Sequence, residues 1–316
     1  MSIVYLNGTY MPIEDAHVSP LDRGFLFGDG IYEVIPSYGG KMVGFGPHID
    51  RMIEGLGALE IELNWSHDQW RDLCQELIKR NPKSQIGLYL HVTRGADIKR
   101  HHPYPKGVSP TVFAMPTDIP PAPIPERDKV DGYKVTTMQD ERWKRCNIKS
   151  ISLLGNVMHY QKGYSQGSGE VLLFNDKNEL TECGACNAYI VKNGTMITPI
   201  LDHQILPGIT RLIALGVLRS EGSIAVEERT VTREEVFEGF FYSRSFLIPM
   251  YWYGLSKYMA DSYYEINNNR SDLYKDIYQN LEKSTKALED LIDDIKNNPK
   301  RYVSFSIIGS NSNLKK

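Results

Sequence analysis

Residues 116–129 read PTDIPPAPIPERDK, with prolines at positions 116, 120, 121, 123 and 125. A run so dense in proline lacks the main-chain donors that a sheet or helix interior requires, so it separates what lies on either side. It reads as a semi-rigid connector over 119–128. The chain of 316 residues, long enough for two sizeable cores, is thereby divided into a domain over 1–118 and a larger one over 129–238. Residues 239–316 form a tail of different character. A hydrophobic fraction of 41% suits a soluble globular protein, and a net charge of -3 leaves no basic footprint for nucleic acid. The longest strongly apolar run, residues 246–255, is broken by Pro249 and is too short to span a bilayer. The first thirty residues lack a charged start followed by an apolar core, so no secretory signal is expected, and four scattered cysteines, Cys74, Cys146, Cys183 and Cys186, suggest no disulfide framework. The expectation is a cytoplasmic protein with no membrane contact.

The first domain begins with short strands. Asn7-Gly8 marks a hairpin in IVYLNGTYMPI, and Gly39-Gly40 marks a second turn. Between them, PLDRGFLFGDGIYEVI carries three glycines that permit tight bends, then a strand presenting Tyr32 on one face, as a functional group or as a core aromatic. A helix is expected from Pro47, which would place Arg51 in a first turn hospitable to an anion such as phosphate; a solvated arginine is the alternative. A second helix spans 67–80, with Trp70, Leu73, Cys74 and Leu77 facing inward. Strands at 86–95 and 111–115 flank ADIKRHHPYP, where Arg100, His101 and His102 stand among prolines in a stiff cationic loop suited to a carboxylate. A metal site lacks the usual acidic or cysteine partners there, and none is expected.

The second domain opens on GYKVTTM and leads to ERWKRCNIKSISLLGN, residues 141–156. Lys149 lies within an apolar run, 148–154. Desolvation disfavours an ammonium, so a lysine buried there becomes a nucleophile and base, and the chemistry it suggests is a Schiff base. The alternative is a surface lysine whose stem lies on apolar neighbours. Residues 152–165 should be helical, with Leu153, Val157 and Tyr160 inward. Strands and turns follow, and Glu182 sits among small residues where a carboxylate can meet a cationic ring nitrogen or simply face solvent. Cys183 and Cys186 form a CxxC without a second pair, which argues against zinc. Leu206-Pro207-Gly208 then delivers the chain into a helix near Ile209 and Thr210, where a phosphate monoester would find unpaired N–H groups and a hydroxyl. Thr210 capping its own helix is the other possibility.

Together, DRGFLFGDGIYEV, HIDR, VTRG with RHHPYP, RWKRCNIKSISLLGN, LTECGACN and LPGITR resemble the fold-type IV pyridoxal-phosphate aminotransferases, D-amino-acid aminotransferases above all, in order and spacing to about Glu238. The resemblance implies a two-domain α/β (α+β) fold, pyridoxal 5′-phosphate as cofactor and a homodimer. It implies that Lys149 bonds to the cofactor and moves the proton at Cα, and that Glu182 holds the pyridine nitrogen protonated. Arg51, Ile209 and Thr210 would bind the phosphate, and Leu206 would pack on the ring. Tyr32, Arg100 and His102 would receive the substrate carboxylate, the last two from the neighbouring subunit. The implied reaction passes an amine from a D-amino acid to a 2-oxo acid such as 2-oxoglutarate. Branched-chain aminotransferase and aminodeoxychorismate lyase activities are alternatives on the same fold.

Past Glu238 the resemblance stops. Residues 271–297 pattern as a long amphipathic helix, and the last thirty or so are similar to the C-terminal end of MCE-domain (MlaD-like) lipid-transport proteins. The expectation is a fused tail in place of the family's closing strands, leaving sheet edges unpaired. An inactive remnant or an interaction protein is the rival from another functional class.

Overall fold

The computed structural model describes residues 2–120, 134–222, 224–238 and 303–305. They fall into two compact units: 2–120 with Arg145–Gly155, and 134–144 with the described residues from Asn156 to Phe305. Most of the connector over 119–128 and the amphipathic stretch at 271–297 lie outside the described residues. Within the span 129–238 expected to form one domain, Arg145–Gly155 departs: it packs in the first unit. The reason is main-chain pairing, because Tyr32 N donates to Lys149 O and Ile151 N to Gly30 O, each at 3.1 Å.

In the first unit, β1 (Ile3–Leu6) and β2 (Thr9–Pro12) close through Asn7 and Gly8, at φ 46° and 97°. A short helix α1 (Arg23–Phe27) precedes β3 (Gly30–Tyr38) and β4 (Lys41–Met42), which turn at Gly39-Gly40. Helices α2 (Phe45–Ala58) and α3 (His67–Arg80) lead to β5 (Gln85–Thr93) and β6 (Thr111–Thr117). The strands make a six-stranded sheet in the order β2-β1-β6-β5-β3-β4, with antiparallel neighbours throughout. Ile31 and Ile35 of β3 meet Ile49, Met52 and Leu56 of α2 and Trp70, Leu73 and Leu77 of α3 in one core. Each such side chain, fully buried, contributes roughly 1.5–3 kcal/mol. A capping box of Ser66 and Gln69 fixes the start of α3 at the expected residue. Helix α2 starts earlier than Pro47: Gly44, at φ 61°, swings the chain in at Phe45. Arg51 is therefore in the second turn, where its amide is already engaged in the helix.

In the second unit, β7 (Val135–Gln139) pairs in parallel with β8 (Glu170–Phe174) after a crossover through α4 (Leu154–Ser165), and β9 (Leu180–Cys183) adds antiparallel. A second sheet runs β12-β11-β10-β13, built from β10 (Ala188–Lys192), β11 (Thr195–Thr198), β12 (Ala225–Glu228) and β13 (Val303–Phe305). Helix α5 (Ile209–Glu221) connects the parallel pair β11 and β12, and α6 (Arg233–Glu238) follows. The expected open edge is occupied over Ala188–Ile190, where β13 pairs antiparallel with β10. Helix α4 turns only part of the anticipated face inward: Tyr160 is half-buried and donates to Gly169 O, but Val157 is not covered. Val157 is 59% exposed, and His159 and Gly163 are the buried residues. His159 Nε2 lies 2.9 Å from Gln139 O, and a Cβ on Gly163 would stand 2.3 Å from Val171 Cγ1. That close approach selects the face. Among the described residues, no helix is long and apolar enough to cross a membrane, and no cluster of potential metal ligands occurs.

Candidate active site

In the first unit, the segment carrying Lys149 lies along the start of β3, with Ser150 bridged to Ile31 and Ile148 in the core. Lys149 is half-buried, its Nζ 3.4 Å from Tyr32 Oη and 4.4 Å from the Tyr32 ring centroid. Two glycines make room. A Cβ on Gly30 would come within 2.4 Å of Val92 O, and one on Gly28, at φ 66°, within 2.3 Å of Ser152 Oγ. The glycines of the GDGIYE stretch, close to Ser152 and to Ile151 Cδ1, thus allow the lysine segment to reach the strand bearing Tyr32.

Alternation along β3 sends Glu33 to the face opposite Tyr32. Its carboxylate is wholly buried and accepts from Arg51 Nε at 2.7 Å and Nη2 at 2.8 Å, with His48 Nδ1 at 2.7 Å. Burial alone would push this carboxyl up, but the Arg51 charge and the bonds to Arg51 and His48 win and bring it down to about 2. Burial also holds His48 below its ordinary value, against the pull of Glu33. Arg51 enters this arrangement as a buried guanidinium whose plane Glu33 fixes.

Arg100 and His102 are exposed side chains of the loop after β5, gathered around Phe27: the Arg100 Cζ is 5.1 Å and the His102 ring 5.3 Å from its centroid. The main chain of that loop is held by Arg23, a residue that sequence reasoning passed over although it stands in the quoted DRGFLFGDG.

In the second unit, β9 places Glu182 in a fully buried position. Arg142 Nη1 donates to its Oε1, while Leu206 N (3.2 Å) and Asn187 Nδ2 (3.4 Å) donate to Oε2. Burial raises the Glu182 carboxyl, and Arg142 offsets this only in part, because Asp140 also claims Arg142 and adds repulsion. Glu170 was not singled out from the sequence. Its Oε1 accepts from Val171 N at 2.9 Å and Gly184 N at 3.1 Å, and burial pushes it up to about 7. Cys183 and Cys186 are free and buried, their thiols raised by burial, which makes them inert rather than redox-active.

Asn187 also ties Leu206, donating to its carbonyl at 2.8 Å, and Gly208 caps α5 without any side-chain cap. Thr210 is thus not the cap of its own helix. The first turn of α5 has no acidic residue, and its leading N–H groups lack intrahelical partners. An uncapped helix start with a threonine hydroxyl fits a phosphate monoester, and a buried, donor-fixed carboxylate fits a protonated ring nitrogen. Apart from Arg51, the expected residues fall into four groups: Lys149 with Tyr32, Arg100 with His102, Glu182 with Leu206, and Ile209 with Thr210. Arg51 stands with Glu33.

Comparison with known proteins identifies the class. The amino-transferase class IV family matches residues 30–245, and the chain belongs to that family; it is an aminotransferase. It is 35% identical over 235 residues to a D-alanine aminotransferase of Listeria monocytogenes, covering 74% of this chain and 80% of the relative. A D-alanine aminotransferase of Bacillus licheniformis is 36% identical over 233 residues, with coverage of 74% and 80%. Among solved structures, the branched-chain amino acid aminotransferase of Escherichia coli superimposes with a TM-score of 0.66 at 20% identity, over 75% of this chain and 80% of that one. A hypothetical aminotransferase from Mycobacterium tuberculosis in a PLP-bound form gives 0.65 at 19% identity, over 75% and 84%. The fold is the mixed α/β fold-type IV architecture.

Proposed function

We propose that this aminotransferase moves the amino group of a small D-amino acid, D-alanine foremost, to a 2-oxo acid such as 2-oxoglutarate. The observation that carries the reading is the 35% identity to D-alanine aminotransferases over 235 residues. Pyridoxal 5′-phosphate is the cofactor, and when bound it supplies an electron sink for the charge left at the substrate Cα. Lys149 would hold the cofactor and serve as the base for the proton at the substrate Cα, with Tyr32, whose Oη lies 3.4 Å from Lys149 Nζ, beside it as a carboxylate partner. Glu182, fixed by Arg142, Asn187 and Leu206 N, meets the pyridine nitrogen. Ile209 N–H, Thr210 and Arg51 hold the phosphate, and Leu206 packs on the ring. Arg100 and His102 receive the substrate carboxylate in a homodimer, each reaching the other copy's site. The exposure of Ile98 (91%) and Phe25 (77%) beside that loop supports a partner there.

A half-reaction followed at the cofactor's visible absorbance tests this. D-alanine should bleach it and L-leucine should not. The reverse preference favours the branched-chain reading that the fold likeness also permits. Protein that stays colourless after addition of pyridoxal phosphate, like the Lys149→Ala variant beside it, would mark a catalytic remnant.

A further inference from the structure

The loop from Asp97 to Gly107 makes no main-chain hydrogen bond to another main-chain group among the described residues. What holds it is a side chain of another element. Arg23, on α1, is buried, yet its Nη1 donates to His101 O at 2.6 Å and to Pro103 O at 3.4 Å, and its Nη2 donates to His102 O at 2.9 Å. Its Nε donates to Asp29 Oδ2 at 2.8 Å. Arg94 donates to the same carboxylate through Nε at 2.8 Å and Nη2 at 3.0 Å, and stacks 3.5 Å from the Tyr104 ring centroid. One carboxylate thus faces two guanidiniums, so Arg23 keeps positive charge to spend on carbonyl dipoles. Three consecutive carbonyls are gripped by one planar fork, and the flanking residue is clamped by the second arginine. The side chains that this fixes are Arg100 and His102, which close on Phe27, itself 4.8 Å from Arg23 Cζ.

We propose that Arg23 is a positioning residue for substrate carboxylate recognition, fixing the loop backbone from which Arg100 and His102 project. The inference rests on the carboxylate reading of those two residues. Lysine cannot substitute, because a single ammonium cannot span three carbonyls in a plane. With its carbonyl grip lost, Arg23→Met should raise half-saturation by D-alanine in the half-reaction by about 10-fold or more, equivalent to about 1.4 kcal/mol. The limiting rate should change less than the half-saturation, and the absorbance of the loaded cofactor should be unaltered. Tryptic cleavage after Lys99 and Arg100, in the loop whose carbonyls Arg23 grips, should quicken in the same variant, with or without the cofactor.

Arg100→Ala is measured alongside. If Arg100→Ala weakens D-alanine saturation and Arg23→Met does not, the carboxylate reading stands and the clamp alone is overturned. If Arg100→Ala leaves saturation unaltered, the carboxylate reading falls and takes this proposal with it. An unchanged rate of tryptic cleavage after Lys99 and Arg100 in folded Arg23→Met overturns the clamp directly. Should the methionine variant not fold, Arg23→Lys, which keeps a charge beside Asp29 and loses the fork, gives the same readings.

Discussion

Glu33 and Glu182 are both buried glutamates facing an arginine, and they titrate in opposite directions. Glu33 has Arg51 through two nitrogens and His48 besides, and is driven down to about 2. Glu182 meets Arg142 through one nitrogen, while Asp140 binds the same guanidinium twice, and burial prevails so that Glu182 is raised. What separates them is how much of the arginine's charge is already committed. A carboxylate that owns its arginine is a structural anion. One that shares it with a competitor remains responsive to a further cation, which is the property the pyridine nitrogen would use.

The contrast can be broken most severely at Arg51. Arg51→Met leaves Glu33 buried without its cation and should cost about 3–5 kcal/mol, read as a shift in the urea midpoint. Arg142→Met should cost less, because Asn187, Leu206 N and a raised carboxyl already accommodate Glu182. Next in size, Glu182→Gln should lower the half-reaction rate by about 10²–10³-fold while the urea midpoint moves little. Equal stability losses at Glu33→Gln and Glu182→Gln would erase the distinction.

Acidity offers a gentler probe. Glu33 is lowered, so its contribution to stability is complete above its ordinary 4.5 and is lost as pH falls toward about 2. Glu170 runs the other way. Its folded value of about 7 exceeds 4.5, so its contribution is complete below 4.5 and is lost as pH rises through about 7. Denaturation midpoints of Glu170→Gln and wild type should therefore diverge between those limits, with wild type losing stability as pH rises. Parallel curves there would count against a protonated Glu170. The smallest effect is expected of Asp140→Asn: releasing Arg142 should draw the Glu182 carboxyl down, visible as a modest acid-side displacement of the half-reaction's pH profile.

Local signals made much of this legible. Asn7-Gly8 and Gly39-Gly40 turned where their φ preferences required, and Ser66 with Gln69 set α3 at His67. Misreadings arose where distant contacts decided. The inward face of α4 follows from His159 meeting Gln139 O and Gly163 packing on Val171, contacts made across the fold. Helix α2 began at Phe45 because Gly44 adopted a left-handed conformation, which the composition of that stretch permits without demanding. For the site, residue types at motif positions drew attention to Lys149, Glu182 and Thr210, whereas Glu33, Glu170 and Arg23 were missed. Each of these gains its meaning from partners distant in sequence, 14 positions for Gly184 on Glu170 and 78 to 80 for the three carbonyls on Arg23, and no local pattern announces such pairings.

One consequence remains at residue 30, where a hydrogen atom stands in place of a methyl within 2.4 Å of Val92 O. A single alanine there would press on the backbone of β5 and, at 2.9 Å, on Ile151 Cδ1, so the segment that carries Lys149 and the neighbouring strand could not both keep their places beside β3.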